Sequence, residues 1–133
     1  RRLKACKRSS GRLIAISSIT GKIGYPYISA YAASKHGVLG MVKVAALEVA
    51  KTGITVNAIC PGYLDTEMTE KSINNIVTKT GISFEEAVDK LKIYSPQHRL
   101  LDADEVTAAA LYLASEEARG VNGQGLSVCG GET

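Results

Sequence analysis

Tyr31 and Lys35 stand four residues apart in Tyr31-Ala32-Ala33-Ser34-Lys35, at the head of a long apolar-patterned segment. On a helix that spacing puts both side chains on one face, a little over one turn apart. A fixed ammonium beside a phenol favours the phenolate, so the pair can serve as a general acid/base near neutral pH. Ser18 ends a short β-type run upstream, where its hydroxyl can hydrogen-bond the oxygen whose proton Tyr31 moves. The spacing alone carries little. Six tyrosines and ten lysines in 133 residues give about half a Tyr-x-x-x-Lys by chance, and a surface lysine beside a helical tyrosine satisfies it equally well. The surrounding elements decide.

Residues 13–17 form a nearly continuous apolar run after Gly11, as expected of a strand covered on both faces. A loop with Gly21, Gly24 and Pro26 as breakers follows, carrying Tyr25 and Tyr27. The pattern then predicts a helix over about 30–51, with Tyr31, Lys35, Val38, Val42, Ala45 and Val49 on one face and Gly53 as its stop. A second apolar strip runs through Gly40, Met41, Val44 and Leu47, so one face should meet the sheet and the other a further helix or subunit. Residues 54–60 read as a second strand ended by Pro61-Gly62. Strand, helix and strand make a βαβ unit, whose crossover is right-handed in about 98% of cases.

Residues 66–80 are polar and weakly patterned, with Gly81 to end any helix. Ser83 to Glu86 is a capping box opening a helix with Phe84, Val88 and Leu91 on one side. Asp102 to Glu105 repeats that logic for a helix over 103–118, with Val106, Ala110 and Leu113 inward, and Leu126–Cys129 is a last strand. Three strands alternating with helices predict an α/β fold with a parallel sheet. Ligands bind such sheets outside the carboxyl ends of the strands, the edge on which Ser18, Tyr31 and Pro61-Gly62 converge.

Composition narrows the function classes. The balance of 45% hydrophobic and 22% charged residues is that of a globular chain, and 133 residues suit one domain. No apolar run approaches the ~20 residues that span a bilayer, and no apolar core of a secretory signal follows the basic start. The expectation is a soluble, cytoplasmic protein without a membrane partner. Of the net +3, six cations lie in residues 1–12 with no acid; the remaining body is −3. No aromatic residue interleaves those cations, which argues for a solvated helix end over a nucleic-acid arm. Cys6, Cys60 and Cys129 form no metal spacing and read as free, inert thiols, with the last two near each other at strand ends. His36 and His98 are isolated, so no metal is expected.

The combination of Gly11 to Ser18, Tyr31 to Lys35, and Ile54-Thr55-Val56-Asn57-Ala58-Ile59-Cys60-Pro61-Gly62 resembles the back half of a classical short-chain dehydrogenase/reductase. The spacing from Ser18 to Tyr31 is the family's own, as are Leu64 and Thr66 after Pro-Gly, and Gly123-Gln124-Gly125 with Gly130-Gly131 fits its final strand. Three stretches (52–58, 83–87 and 126–131) lean toward hydroxybutyrate dehydrogenases and polyketide ketoreductases, with 3-oxoacyl reductases also similar. The resemblance implies a Rossmann-like parallel sheet and an oxidoreductase that interconverts a ketone, 3-oxoacyl or similar, and a secondary alcohol with NAD or NADP. It implies that Tyr31 is the proton donor or acceptor, that Lys35 tunes Tyr31 and holds the nicotinamide ribose, and that Ser18 holds the substrate oxygen. Pro61, Gly62, Leu64 and Thr66, with Tyr31 and Lys35, would hold the nicotinamide end of the cofactor. Tyr25 and Tyr63 flank the site and join Ser18 as expected substrate contacts, and Tyr27 and Met68 lie alongside.

The chain departs from the family in carrying neither the Gly-rich dinucleotide loop nor the Asn-Asn-Ala-Gly segment. It therefore reads, over 1–133, as the C-terminal portion of one domain whose cofactor half lies elsewhere, inactive by itself. A homo-oligomer through the face of helix 31–51 and the C-terminal strand is expected. The alternative is a truncated, non-catalytic module that acts by association.

Overall fold

The computed structural model describes residues 10–133. Five of the six N-terminal cations and Cys6 lie outside the described residues. Three strands, β1 (Gly11–Ile16), β2 (Ile54–Pro61) and β3 (Gly125–Val128), form one sheet in the order β1-β2-β3. Both pairings are parallel, from Gly11↔Ile54 to Ile16↔Ile59 and from Ala58↔Gly125 to Pro61↔Val128. The carboxyl ends of all three strands therefore share one edge. A 3-10 helix (Ile19–Gly21) and α1 (Ser29–Val49) join β1 to β2, and α2 (Glu67–Thr80), α3 (Phe84–Lys92) and α4 (Ala103–Ala114) precede β3. Among the described residues no helix is long and apolar enough to cross a membrane.

Sequence pattern and packing agree most closely at α1. Val42, Ala46 and Val49 are buried against Ile54, Val56 and Ala58, with Val38, Leu39 and Ala45 packed around them. The second strip stays uncovered: Met41, Val44 and Leu47 are exposed, Leu47 to 79%. The helix ends at Ala50, and the chain turns into β2 through Gly53, whose φ of 73° favours a residue without a Cβ. Strand β2 is buried along its whole length, as the middle strand of a parallel sheet should be. Its polar member, Asn57, is satisfied on both sides: the amide donates to Val121 O at 2.8 Å and Oδ1 accepts from Gln124 N at 3.0 Å. Asn122 completes the link, accepting from Val56 N at 2.8 Å and donating to Ala46 O at 3.1 Å.

The weakly patterned stretch 66–80 is a helix, α2, closed by Gly81 in the left-handed region. Its Ile73 meets Ala87 and Leu91 of α3 in a second apolar cluster, with Tyr63, Val88 and Leu100 at its margin. The Ser83–Glu86 capping box is present in both directions. Phe84 departs from expectation: at the first position of α3 it faces solvent, and Ala87 takes the inward place. Helix α4 also departs, ending at Ala114 and not near 118. Ser115 turns extended, its carbonyl accepts from Arg12 Nε at 3.3 Å, and the chain folds back to bury Ala118. Leu113 is buried as expected, whereas Val106 and Ala110 are only partly so.

Glu105 at the start of α4 takes both guanidinium nitrogens of Arg99, at 2.6 and 2.8 Å, and also the Asp102 N–H at 2.9 Å. The Arg99 hydrogen bonds first, and then that backbone N–H, hold its carboxyl down at about 2. A carboxylate depressed on folding stabilises above its unfolded value and loses that contribution as pH falls through the folded one. The melting-temperature difference between the native sequence and Glu105→Gln is therefore expected to be full at pH 6 and to shrink from about pH 4.5 toward pH 2. A difference constant over that range contradicts the assignment.

Candidate active site at the carboxyl edge of the sheet

Strand β1 stops at Ile16 because the next residues turn their polar groups inward. Ser17 is buried, and its N–H still donates to Ile59 O at 2.8 Å. Ser18 is extended and caps the 3-10 helix, its Oγ accepting from Thr20 N at 3.1 Å and lying 3.2 Å from Thr20 Oγ1. The second turn of α1 is tied to this corner twice. Ser17 Oγ donates to the carbonyl of Lys35 at 3.1 Å, and Lys35 Nζ donates to the carbonyl of Ile16 at 3.3 Å. The same ammonium lies 5.5 Å from the centre of the Tyr31 ring, within reach of a cation–π attraction. Tyr31 is 45% exposed, so its phenol is open to a ligand.

Gly21 makes this contact possible. A Cβ there would lie 2.8 Å from both Lys35 O and Ser17 Oγ, so the 3-10 helix touches α1 backbone to backbone. Gly21→Ala is expected to destabilise the fold by about 1–3 kcal/mol and to lower activity by displacing Lys35. Urea unfolding and steady-state rates check it, and a neutral substitution contradicts the tight corner.

The end of β2 faces the same edge. Pro61 closes the strand, and Gly62 N donates to Val128 O at 2.9 Å. A Cβ on Gly62 would meet the Cα of Cys129 at 3.2 Å. Leu64 forms a parallel bridge with Leu101 that uses the N–H of Asp65 and the carbonyl of Tyr63, at 2.9 and 3.0 Å. The N–H and carbonyl of Leu64 itself therefore point away from that partner. Thr66 caps α2 without a side-chain capping hydrogen bond, which leaves its hydroxyl unused there. The end of β2 thus carries a backbone without a Cβ, an outward amide and a spare hydroxyl.

Three tyrosines, Tyr25, Tyr63 and Tyr94, meet through Tyr94. Tyr25 meets Tyr94 edge to face at 5.3 Å, and Tyr94 lies 6.0 Å from Tyr63. Burial, then Tyr94 and Tyr31, push the Tyr63 phenol up. Tyr25 also donates to Glu132. Tyr27 is fully exposed at φ 69°, and Met68 is exposed. Cys60 and Cys129 are free and buried; burial pushes the Cys60 thiol up. Burial also resists ionisation of Cys129, but the N–H groups of Thr133, Gly131 and Glu132 outweigh it and bring that thiol down. His36 turns Nδ1 to the Ala32 carbonyl at 3.0 Å, and no metal-holding cluster occurs among the described residues.

Sequence reasoning missed Ser17, Gly21, Tyr94 and Glu132. A serine pair at a strand end carries a weak signal for Ser17, and the glycine three residues after Ser18 one for Gly21. Nothing local marks Tyr94 or Glu132, whose partners are distant in sequence. Two open grooves are present, the second of them reaching Gly21 and Lys22. One, of about 440 Å³, includes Arg12, Gly53 and Arg119; the other, of about 550 Å³, runs between α1 and the start of β3.

The chain is similar to known proteins over nearly its whole length. A family model described as enoyl-(acyl carrier protein) reductase matches residues 1–133. D-beta-hydroxybutyrate dehydrogenase of Rhizobium meliloti (strain 1021) is 40% identical over 128 residues, covering 96% of this chain and 50% of the relative. A crystal structure of a variant of actinorhodin polyketide ketoreductase with NADPH superposes with a TM-score of 0.89 at 40% identity, covering 95% of this chain and 48% of that one. ElxO with NADP bound gives 0.82 at 35% identity, over 98% and 50%. The chain spans about half the length of the curated relatives it matches, and its three-stranded sheet is the corresponding part of a Rossmann-like fold. With its sheet, helices and sequence matched from end to end, the chain belongs to the short-chain dehydrogenase/reductase family.

Proposed function

We propose that the chain is the C-terminal portion of a single NAD(P)-dependent oxidoreductase domain that interconverts a ketone and a secondary alcohol. The supporting observation is the corner at the end of β1, where Lys35 spans from the Ile16 carbonyl to the Tyr31 ring. The relatives' names favour a 3-oxoacyl compound or one similar to it. The nicotinamide cofactor, when bound, supplies or accepts the hydride.

The chain's own residues do the rest. Tyr31 gives its phenolic proton to the carbonyl oxygen in reduction and takes it back in oxidation. Lys35 offsets the negative charge left on the phenol and reaches the ribose. Ser18 donates to the same substrate oxygen, steadying the charge that builds there. Pro61 and Gly62, the backbone of Leu64 and the Thr66 hydroxyl hold the nicotinamide end, and Tyr25 and Tyr63 bound the substrate. The remainder of the domain would supply the pyrophosphate loop absent from this sequence. The exposed Met41, Val44 and Leu47 strip, with β3, suits contact with another copy, and the setting is the cytoplasm.

The test is oxidation of NADH and NADPH by the full-length protein against 3-oxoacyl thioesters, acetoacetate and small ketones. The reading expects ketone-dependent oxidation, and none with any member of the panel would sink it. A second reading, a non-catalytic association module, draws on that same exposed strip. It predicts a defined oligomer without turnover.

A further inference from the structure

The loop between Ser18 and Tyr31 is fastened at two points to the last residues of the chain. Lys22 Nζ donates to Ser127 Oγ at 2.7 Å, and the Tyr25 hydroxyl donates to the Glu132 carboxylate. Ser127 is itself held by Thr133, hydroxyl to hydroxyl at 2.9 Å. The tail that carries Glu132 has little freedom. Gly130, at φ 67°, packs so closely on Ser95 that a Cβ would lie 2.5 Å from its Oγ, and Gly131 lies against Pro96. The Tyr25 ring rests on Tyr94, the residue before Ser95. One hydrogen bond thus joins the loop to β3, one joins it to a tail whose place is set by backbone packing, and an aromatic edge contact joins it to the turn after α3 on which that tail packs.

We propose that Glu132 is a positioning residue: through Tyr25 it latches the loop between Ser18 and Tyr31 to the tail after β3, and so shapes the substrate side of the site. Nothing in the chemistry of proton transfer requires this contact, and Glu132 touches neither Tyr31 nor Lys35 by any hydrogen bond among the described residues. Its partly buried carboxyl is pushed up by desolvation, in keeping with a group held against the loop. The assignment rests on the proposed ketone chemistry for its kinetic readout alone.

Two measurements on the full-length protein test it. Hydrogen exchange over residues 22–28 is expected to quicken about tenfold in Glu132→Ala and in Tyr25→Phe, the size set by losing one charge-assisted hydrogen bond. The double variant should go no further, and Glu132→Gln, which keeps an acceptor, should restore most of the protection. In parallel, KM for the ketone should rise about tenfold in Glu132→Ala while kcat changes little, as when binding geometry alone is lost. Unchanged exchange over 22–28 overturns the latch, whether or not the protein reduces ketones. Exchange that quickens throughout the chain also overturns it, because the effect is then on global stability. Quickened local exchange with an unmoved KM overturns the link to substrate. Absence of any ketone reduction in the native protein counts against the proposed function instead, and leaves the exchange result to decide the latch.

Discussion

Tyr31→Phe in the full-length protein is expected to lower kcat for ketone reduction by about 10²–10⁴-fold, the usual worth of one positioned acid. The substitution deletes a single oxygen. It leaves the ring beside Lys35, the Lys35 bond to the Ile16 carbonyl, and the Ser17 bond to the Lys35 carbonyl. Because Tyr31 is 45% exposed, the fold should hold its stability. The loss should appear equally in kcat and kcat/KM, because the proton is transferred only on the way to the transition state. Steady-state rates and a thermal melt of the same preparation measure both parts. Undiminished turnover would remove Tyr31 from the mechanism; a large fall in melting temperature would mean that the phenol is structural.

The second large effect is on stability. Asn57→Leu removes the donor to Val121 O and the acceptor from Gln124 N, both inside a fully buried strand. The Val121 carbonyl and the Gln124 N–H lose their partners at part-buried contacts. At the low end of the ~1–3 kcal/mol that a fully buried group costs, the loss is about 2 kcal/mol in all. The damage should centre on β3, because Gln124 leads into it and Gln124 O accepts from Ala58 N at 2.7 Å. Urea unfolding would show the midpoint shift, and hydrogen exchange should show Gly125–Val128 opening first. A leucine variant as stable as the native sequence would mean that water or a rearranged backbone satisfies those groups.

The parts of this fold that local chemistry dictates were legible in the sequence. Ser83 and Glu86 cap α3 as their spacing requires, and Gly81 takes the left-handed conformation that closes α2. Gly53 is left-handed too, but it turns the chain into β2 four residues after Val49, the last of α1. The βαβ unit could be read because α1 and β2 carry different periods. The parts that failed depend on partners far along the chain. Helix α4 stops at Ala114 where Ser115 meets Arg12, 103 residues away. Phe84 looked inward by spacing, yet the first turn of α3 reaches past the cluster and Ala87 fits there.

The site divides the same way. The residue types and spacing of Ser18, Tyr31 and Lys35 stand out in the sequence. In the structure, at the corner after β1, Lys35 reaches from the Ile16 carbonyl to the Tyr31 ring, and Ser18, two residues after Ile16, caps the 3-10 helix. What holds that corner does not stand out. Ser17 bonds a main-chain carbonyl 18 residues on, and Gly21 matters only because two backbones touch. The Tyr25–Glu132 contact spans 107 residues. No pattern within a helix or strand encodes such pairs.

Hydride transfer itself is the central claim, and isotope transfer tests it most directly. The full-length protein would be given a ketone of the 3-oxoacyl class with nicotinamide cofactor deuterated at C4, prepared as each of the two diastereomers. The account predicts that one diastereomer yields an alcohol with a single deuterium on the former carbonyl carbon and that the other yields none. Alcohol formed without deuterium from either, or no alcohol at all, would contradict it.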